Sequence, residues 1–130
     1  MGILNKLFGS KNDSEKEKKY IPWNRLTLVN QLDVIDKESL QRPIVIFKHS
    51  TRCGTSRMTL RQFEKQFSIE DEKVKLYFLD LIAFREVSNE IAIRFQVMHK
   101  SPQLLVIRNG NTIHHSSHYS IDAGLLEQFI

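Results

Sequence analysis

Cys53 is the only thiol in this chain of 130 residues. It stands in KHSTRCGTSRMTLRQF, residues 48–63, after a β-branched apolar run and before an apolar stripe at helical spacing. Arg52 precedes it, Gly54 follows, and Thr55 and Ser56 place hydroxyls two and three residues on. A thiol at the first turn of a helix meets free backbone N–H groups and the positive end of the helix dipole. With a cation beside it, that setting favours the thiolate, the form that attacks a disulfide. The chemistry expected of Cys53 is nucleophilic exchange at sulfur. A lone cysteine is more commonly a small buried hydrophobe, but the polar residues Ser50, Thr51, Arg52, Thr55 and Ser56 around this one favour the nucleophile.

The histidines suggest other chemistry at first sight. HHSSH contains His114, His115 and His118. On a strand, His114 and His115 point to opposite faces, and no zinc-type cysteine pair accompanies them. No metal site is expected. His49 is close enough in sequence to Cys53 to raise a Cys–His hydrolase, yet on a buried strand it is expected to pack or hydrogen-bond. Trp23, the only tryptophan, is expected in core or edge packing.

These residues have to be positioned by regular elements. WNRLT reads as a short strand, after which Thr27 is placed to cap a helix over LVNQLDVIDKES, with Leu28, Leu32 and Ile35 on one face. Pro43 breaks that helix, and IVIFKH reads as a buried strand. SRMTLRQFEKQF carries Leu60, Phe63 and Phe67 as one helical stripe. KVKLYFLDL is another strand, and FREVSNEIAIRFQV places Val87, Ile91 and Phe95 on one helical face. SPQLLVIRNGNTIHHSS is two strands around Asn109-Gly110, a two-residue hairpin signal. SIDAGLLEQFI reads as a closing helix capped by Ser120. The order is β-α-β-α-β-α-β-β-α. Helix-linked strands imply parallel pairs, and the hairpin adds an antiparallel edge. The fold class expected is α/β, a thioredoxin-like fold with a central mixed sheet and helices on both faces. That fold seats its active cysteine where an early strand gives way to a helix, the position of Cys53.

FKHSTRCGTSRMTLRQFE, with SPQLLVIRNG downstream, resembles the YtxJ family, the monothiol bacilliredoxins of the bacillithiol system, over residues 21–130. The family pattern usually has Cys-Pro-Ile-Ser after a threonine. Here Cys53 and Ser56 match, whereas Gly54 stands in the proline's place, Thr55 where an apolar residue is common, and Arg52 where the threonine is. The resemblance implies a monothiol thiol–disulfide oxidoreductase that removes bacillithiol, or a similar low-molecular-weight thiol, from mixed disulfides on client proteins. Cys53 would be the catalytic nucleophile, with Arg52, Gly54, Thr55, Ser56, Ser101 and Pro102 as its active-site support. Ser56 stands where a two-cysteine relative has its resolving thiol, so recycling needs an outside thiol or a reductase. Ser101-Pro102 matches the cis proline that faces the active cysteine in thioredoxin-like proteins. No bound cofactor is implied, and the small thiol is a co-substrate. Lys48 and Arg57 either steer an anionic thiol such as bacillithiol, whose malate moiety carries carboxylates, or are solvated surface charges.

Composition limits the alternatives. At 41% hydrophobic and 26% charged residues the chain suits one globular domain, expected over 21–130. One cysteine excludes an internal disulfide, and a reducing, cytoplasmic setting is expected. The net charge of +4 is concentrated at the start: residues 1–25 hold six bases against three acids, and the remainder thirteen against twelve. The body is close to neutral, so nucleic acid is not an expected partner. GSKNDSEKEKKY reads as part of a flexible tail over residues 1–20. A solvated extension is expected over a binding arm: the one apolar turn of GILNKLF anchors little on a membrane surface or partner, with no stable insertion, and no run approaches the ~18 apolar residues of a span. The rival to exchange chemistry is a non-catalytic thioredoxin-fold binding module that docks partners beside Pro102. A peroxide-reducing enzyme, with a sulfenic acid at Cys53, is the third reading.

Overall fold

The computed structural model describes residues 20–130. The tail expected over residues 1–20 therefore lies outside the described residues except for Tyr20, which is exposed. The elements in chain order are β1 (Trp23–Arg25), α1 (Gln31–Glu38), β2 (Ile44–His49), α2 (Gly54–Gln66), β3 (Lys75–Asp80), α3 (Arg85–Arg94), β4 (Gln103–Arg108) and β5 (Asn111–Ser117). Two 3₁₀ segments, His118–Ser120 and Ala123–Phe129, close the chain.

Five strands form one sheet in the order β1-β3-β2-β4-β5. β2 lies at its centre, parallel to β3 and antiparallel to β4. All six of its residues are buried, which is why IVIFKH reads as a continuous apolar run rather than an alternating one. Its side chains divide between two cores. Ile44 and Ile46 join Leu32 and Ile35 of α1 and Val87 and Ile91 of α3 on one face. Val45 and Phe47 join Phe63 and Phe67 of the α2 side, with Ile121, Ala123 and Leu126, on the other. Helices thus cover both faces of a mixed sheet, the thioredoxin-like architecture expected. The hairpin also falls at Asn109-Gly110, whose φ values of 55° and 76° are both positive, as a type I′ turn requires.

Local details differ from the sequence expectations. α1 begins at Gln31, and Thr27 does not cap it. Gln31 reaches back instead: its Oε1 accepts from the N–H groups of Thr27 (2.8 Å) and Leu28 (2.9 Å), and its amide donates to the Arg25 carbonyl (3.0 Å). One side chain satisfies the turn that a threonine cap would have ended, and Leu28 is left exposed. The antiparallel part of the sheet is wider than an edge hairpin, because β4 enters beside β2 from the end where β2 finishes; Lys48 pairs with Gln103. The closing segment is 3₁₀ rather than α, and Asp122, not Ser120, caps it by accepting from Gly124 N–H at 2.8 Å. Ala123, Leu126 and Phe129 recur every third residue and face the second core, a spacing that the three residues per turn of a 3₁₀ helix keep in line.

Trp23 behaves as packing. Its ring lies 5.7 Å from Phe63 and 6.1 Å from Phe47, and its Nε1–H donates to Glu64 at 2.6 Å. Phe63 is central to this group, also meeting Phe47 and Phe67. Truncating Phe63→Ala is expected to lower the unfolding free energy by about 3–5 kcal/mol, measured by denaturant titration against the parent chain.

Candidate active site

β2 ends at His49, and four residues later Cys53 occupies the N-cap of α2. The intervening turn is built from hydrogen bonds centred on Ser50. Its carbonyl accepts from Cys53 N–H at 3.2 Å, and its Oγ accepts from Arg52 N–H at 3.3 Å. Its own N–H donates to Ser56 Oγ at 3.0 Å. Ser56, fully buried in the first turn of α2, also bonds His49 Nδ1 at 2.8 Å. The Cys53 carbonyl accepts the first helical bond, from Arg57 N–H at 3.2 Å. Cys53 itself is half-buried and in no disulfide. Its φ and ψ are −112° and 122°, extended as an N-cap requires.

The predicted support residues divide into groups. Arg52 and Gly54 are exposed and Thr55 is half-buried, all on the turn or the first helical residues. The Thr55 carbonyl accepts from Thr59 Oγ at 2.7 Å. Gly54 does not have the positive φ that would require glycine, and a Cβ placed there meets only Arg57 Nη2, at 3.7 Å. Glycine is therefore not needed for the backbone freedom of this turn. The Arg57 guanidinium folds back over the turn and donates to the Thr51 carbonyl at 3.2 Å.

Ser101 and Pro102 lead into β4 at the same end of the sheet, because Lys48 of β2 pairs with Gln103. The peptide bond between them is cis, as the family resemblance implied. Pro102 is buried, and its carbonyl accepts from His118 N–H at 3.0 Å. Gln103 holds the preceding loop with both ends of its buried amide: Nε2 donates to the Met98 carbonyl at 2.9 Å and Oε1 accepts from Lys100 N–H at 3.4 Å. Ser101 Oγ is buried without a hydrogen-bond partner.

Lys48 is not a surface charge. It is fully buried on β2, and its ammonium donates to the Ser88 carbonyl and to His99 Nδ1, both at 3.3 Å. Burial pushes its pKa down to about 8. It therefore cannot steer a ligand, and of the two predicted cations only Arg57 is exposed beside the thiol. A lysine at the end of an apolar strand looks like a solvent-facing terminus in sequence; only the covering loop around His99 reveals its burial. His49 is likewise pushed below its usual range by burial. In the hairpin, His114 stacks on Phe129 at 4.8 Å while His115 is exposed. Among the described residues no three of His, Cys, Asp and Glu gather as a metal site, and no helix is long and apolar enough to cross a membrane.

A half-buried thiol at the N-cap of the helix that follows the central strand, with a cis proline at the same end of the sheet, is the layout of a thioredoxin-fold protein. The family model of the monothiol bacilliredoxin BrxC matches residues 24–126, and the chain belongs to that family. A solved protein with a thioredoxin fold is 26% identical, with a TM-score of 0.70 over 82% of this chain and 92% of its own. Thioredoxin from Trypanosoma brucei brucei is 20% identical (TM-score 0.64, covering 86% of this chain and 90% of its own). Fasciola hepatica thioredoxin is also 20% identical (TM-score 0.60, covering 81% and 93%).

Two measurements follow from this geometry. Cys53 already has the extended backbone that a residue before proline adopts, and Gly54 is the first helical residue, where proline is favoured. Gly54→Pro is expected to raise stability by about 0.4–1 kcal/mol, read as a higher thermal midpoint. The Lys48 pKa lies below its unfolded value, so its folded state is penalised wherever the amine is charged. The penalty is full below about pH 8 and fades as pH rises towards the unfolded value near 10.5. Lys48→Met is expected to stabilise by about 1–3 kcal/mol at pH 7. The gain over the parent should shrink between pH 8 and 10.5, followed by denaturant unfolding at each pH.

Proposed function

We propose that this chain is a thiol–disulfide oxidoreductase that strips bacillithiol, or a similar low-molecular-weight thiol, from protein mixed disulfides. The Cys53 thiolate attacks the small thiol's sulfur. The mixed disulfide bond breaks, the client sulfur leaves as a thiolate and takes a proton, and Cys53 keeps the small thiol as its own mixed disulfide. A second thiol, from a small molecule or a reductase, then attacks that small-thiol sulfur. This releases the Cys53 thiolate and leaves the incoming thiol oxidised. The client is reduced, and the electrons come from the recycling thiol.

The observation that carries this reading is the pairing of Cys53 with Ser56. The only cysteine is partly accessible at a helix N-cap, and the residue one helical turn on is a hydroxyl already held by Ser50 and His49. Nothing within the chain can resolve a disulfide on Cys53, so the adduct has to persist until an outside thiol arrives. Arg57, exposed over the same turn, is the group that meets carboxylates on the small thiol.

The test is release of a small thiol from a client protein carrying it as a mixed disulfide, with intact masses recorded. The parent should acquire one adduct at Cys53, and Cys53→Ser should release nothing. Ser56→Cys places a thiol on the neighbouring helical face. It should expel the adduct and lose two hydrogens as an internal disulfide. A parent that stays unmodified while binding the client would favour the binding-module reading.

A further inference from the structure

We infer that His49, acting through Ser56, is the positioning residue for Cys53: the imidazole fixes the serine hydroxyl, and the hydroxyl fixes the turn that presents the thiol. The inference rests on Cys53 being the reacting group, and deepens that reading by assigning what aims it.

The chain of bonds is continuous. His49 Nδ1 and Ser56 Oγ are 2.8 Å apart, and Ser56 Oγ accepts from Ser50 N–H at 3.0 Å. Ser50 in turn accepts from Arg52 N–H through Oγ and from Cys53 N–H through its carbonyl. Ser50 is thus bonded both to the helix and to the two residues that end at the thiol. His49, Ser50 and Ser56 are all buried, Ser56 completely, so water does not replace a bond lost among them.

The direction of the bonds follows from chemistry. Ser56 Oγ already accepts one N–H, and its own proton needs an acceptor. Neutral imidazole with its proton on Nε2 offers a lone pair at Nδ1 and completes the set. Burial disfavours the imidazolium of His49, which is consistent with the neutral form. Asp80 and Glu64 favour the charged form and Arg57 opposes it, while the Phe78 ring packs against the imidazole at 5.4 Å. Ser56 is therefore not simply the residue left where a second cysteine is missing. It is the node between a buried strand and the nucleophile's turn.

The experiment measures the rate constant of Cys53 towards iodoacetamide and towards 2-hydroxyethyl disulfide at pH 7, in the full chain. Ser56→Ala and His49→Phe should each slow both reactions by about tenfold, because a turn no longer tied to the helix does not hold the sulfur where the free N–H groups of the first turn meet it. His49→Asn can present its amide oxygen near the Nδ1 position as an acceptor for the Ser56 hydroxyl and should stay within about threefold of the parent. Rescue by asparagine, with circular dichroism confirming that all variants fold, separates positioning from loss of structure. Nitrogen NMR of the parent should show an unprotonated Nδ1 at His49, and Ser56→Ala should shift that resonance. Parent-like rates in Ser56→Ala or His49→Phe, or a protonated Nδ1 in the parent, would overturn the inference. A parent that is alkylated normally but removes no small thiol from a client would sink the exchange reading and leave this one intact.

Discussion

The constraint on which the site depends is the complete burial of β2. Both faces of that strand are covered, so every polar group it carries has to find a partner inside the protein. The first four residues are apolar and make no such demand. Lys48 and His49 do, and so does Ser50 just beyond. Lys48 turns to the α3 side and meets Ser88 and His99. His49 turns to the α2 side and meets Ser56. The strand therefore ends in two opposed polar anchors, and the turn bearing Cys53 is tied to one of them. A half-buried thiol is thus held by buried bonds on an otherwise loop-like turn.

The same end of the sheet receives β4 because that strand runs antiparallel to β2. Lys48 lies opposite Gln103, and Gln103 grips the loop that brings in Ser101 and Pro102. Two segments about fifty residues apart in sequence, those of Cys53 and Pro102, thus reach the same end of the sheet through backbone register. Phe63 of α2 packs on Trp23 and Phe47, which fixes the helix whose N-terminus carries the thiol.

Much of this was legible in the residues. IVIFKH is a strand with the expected bounds, Asn109-Gly110 is the hairpin turn, and the stripe of Phe63 and Phe67 is the buried side of α2. In each case local chemistry and tertiary packing agree. What was not legible depended on side chains reaching out of their own element. Gln31 caps a turn that Thr27 was placed to cap, because its amide bonds backbone on both sides. Lys48 reads as a surface charge until the His99 loop is seen to cover it. His49 and Ser56 are seven apart, a separation with no periodic signature, and only the strand-to-helix turn brings them together. The closing 3₁₀ segment keeps Ala123, Leu126 and Phe129 in line at a spacing that an α-helix reading also tolerates.

On the function proposed, Cys53 attacks the small thiol's sulfur and leaves the client free. The most direct measurement mixes one equivalent of the chain with a client carrying a single small-thiol mixed disulfide, quenches with acid within the first turnover, and weighs every species intact. Equal amounts of reduced client and of this chain carrying the small thiol on Cys53 are expected. A covalent complex between the chain and the client as the main product, or a client that keeps its adduct while Cys53 stays free, would contradict it.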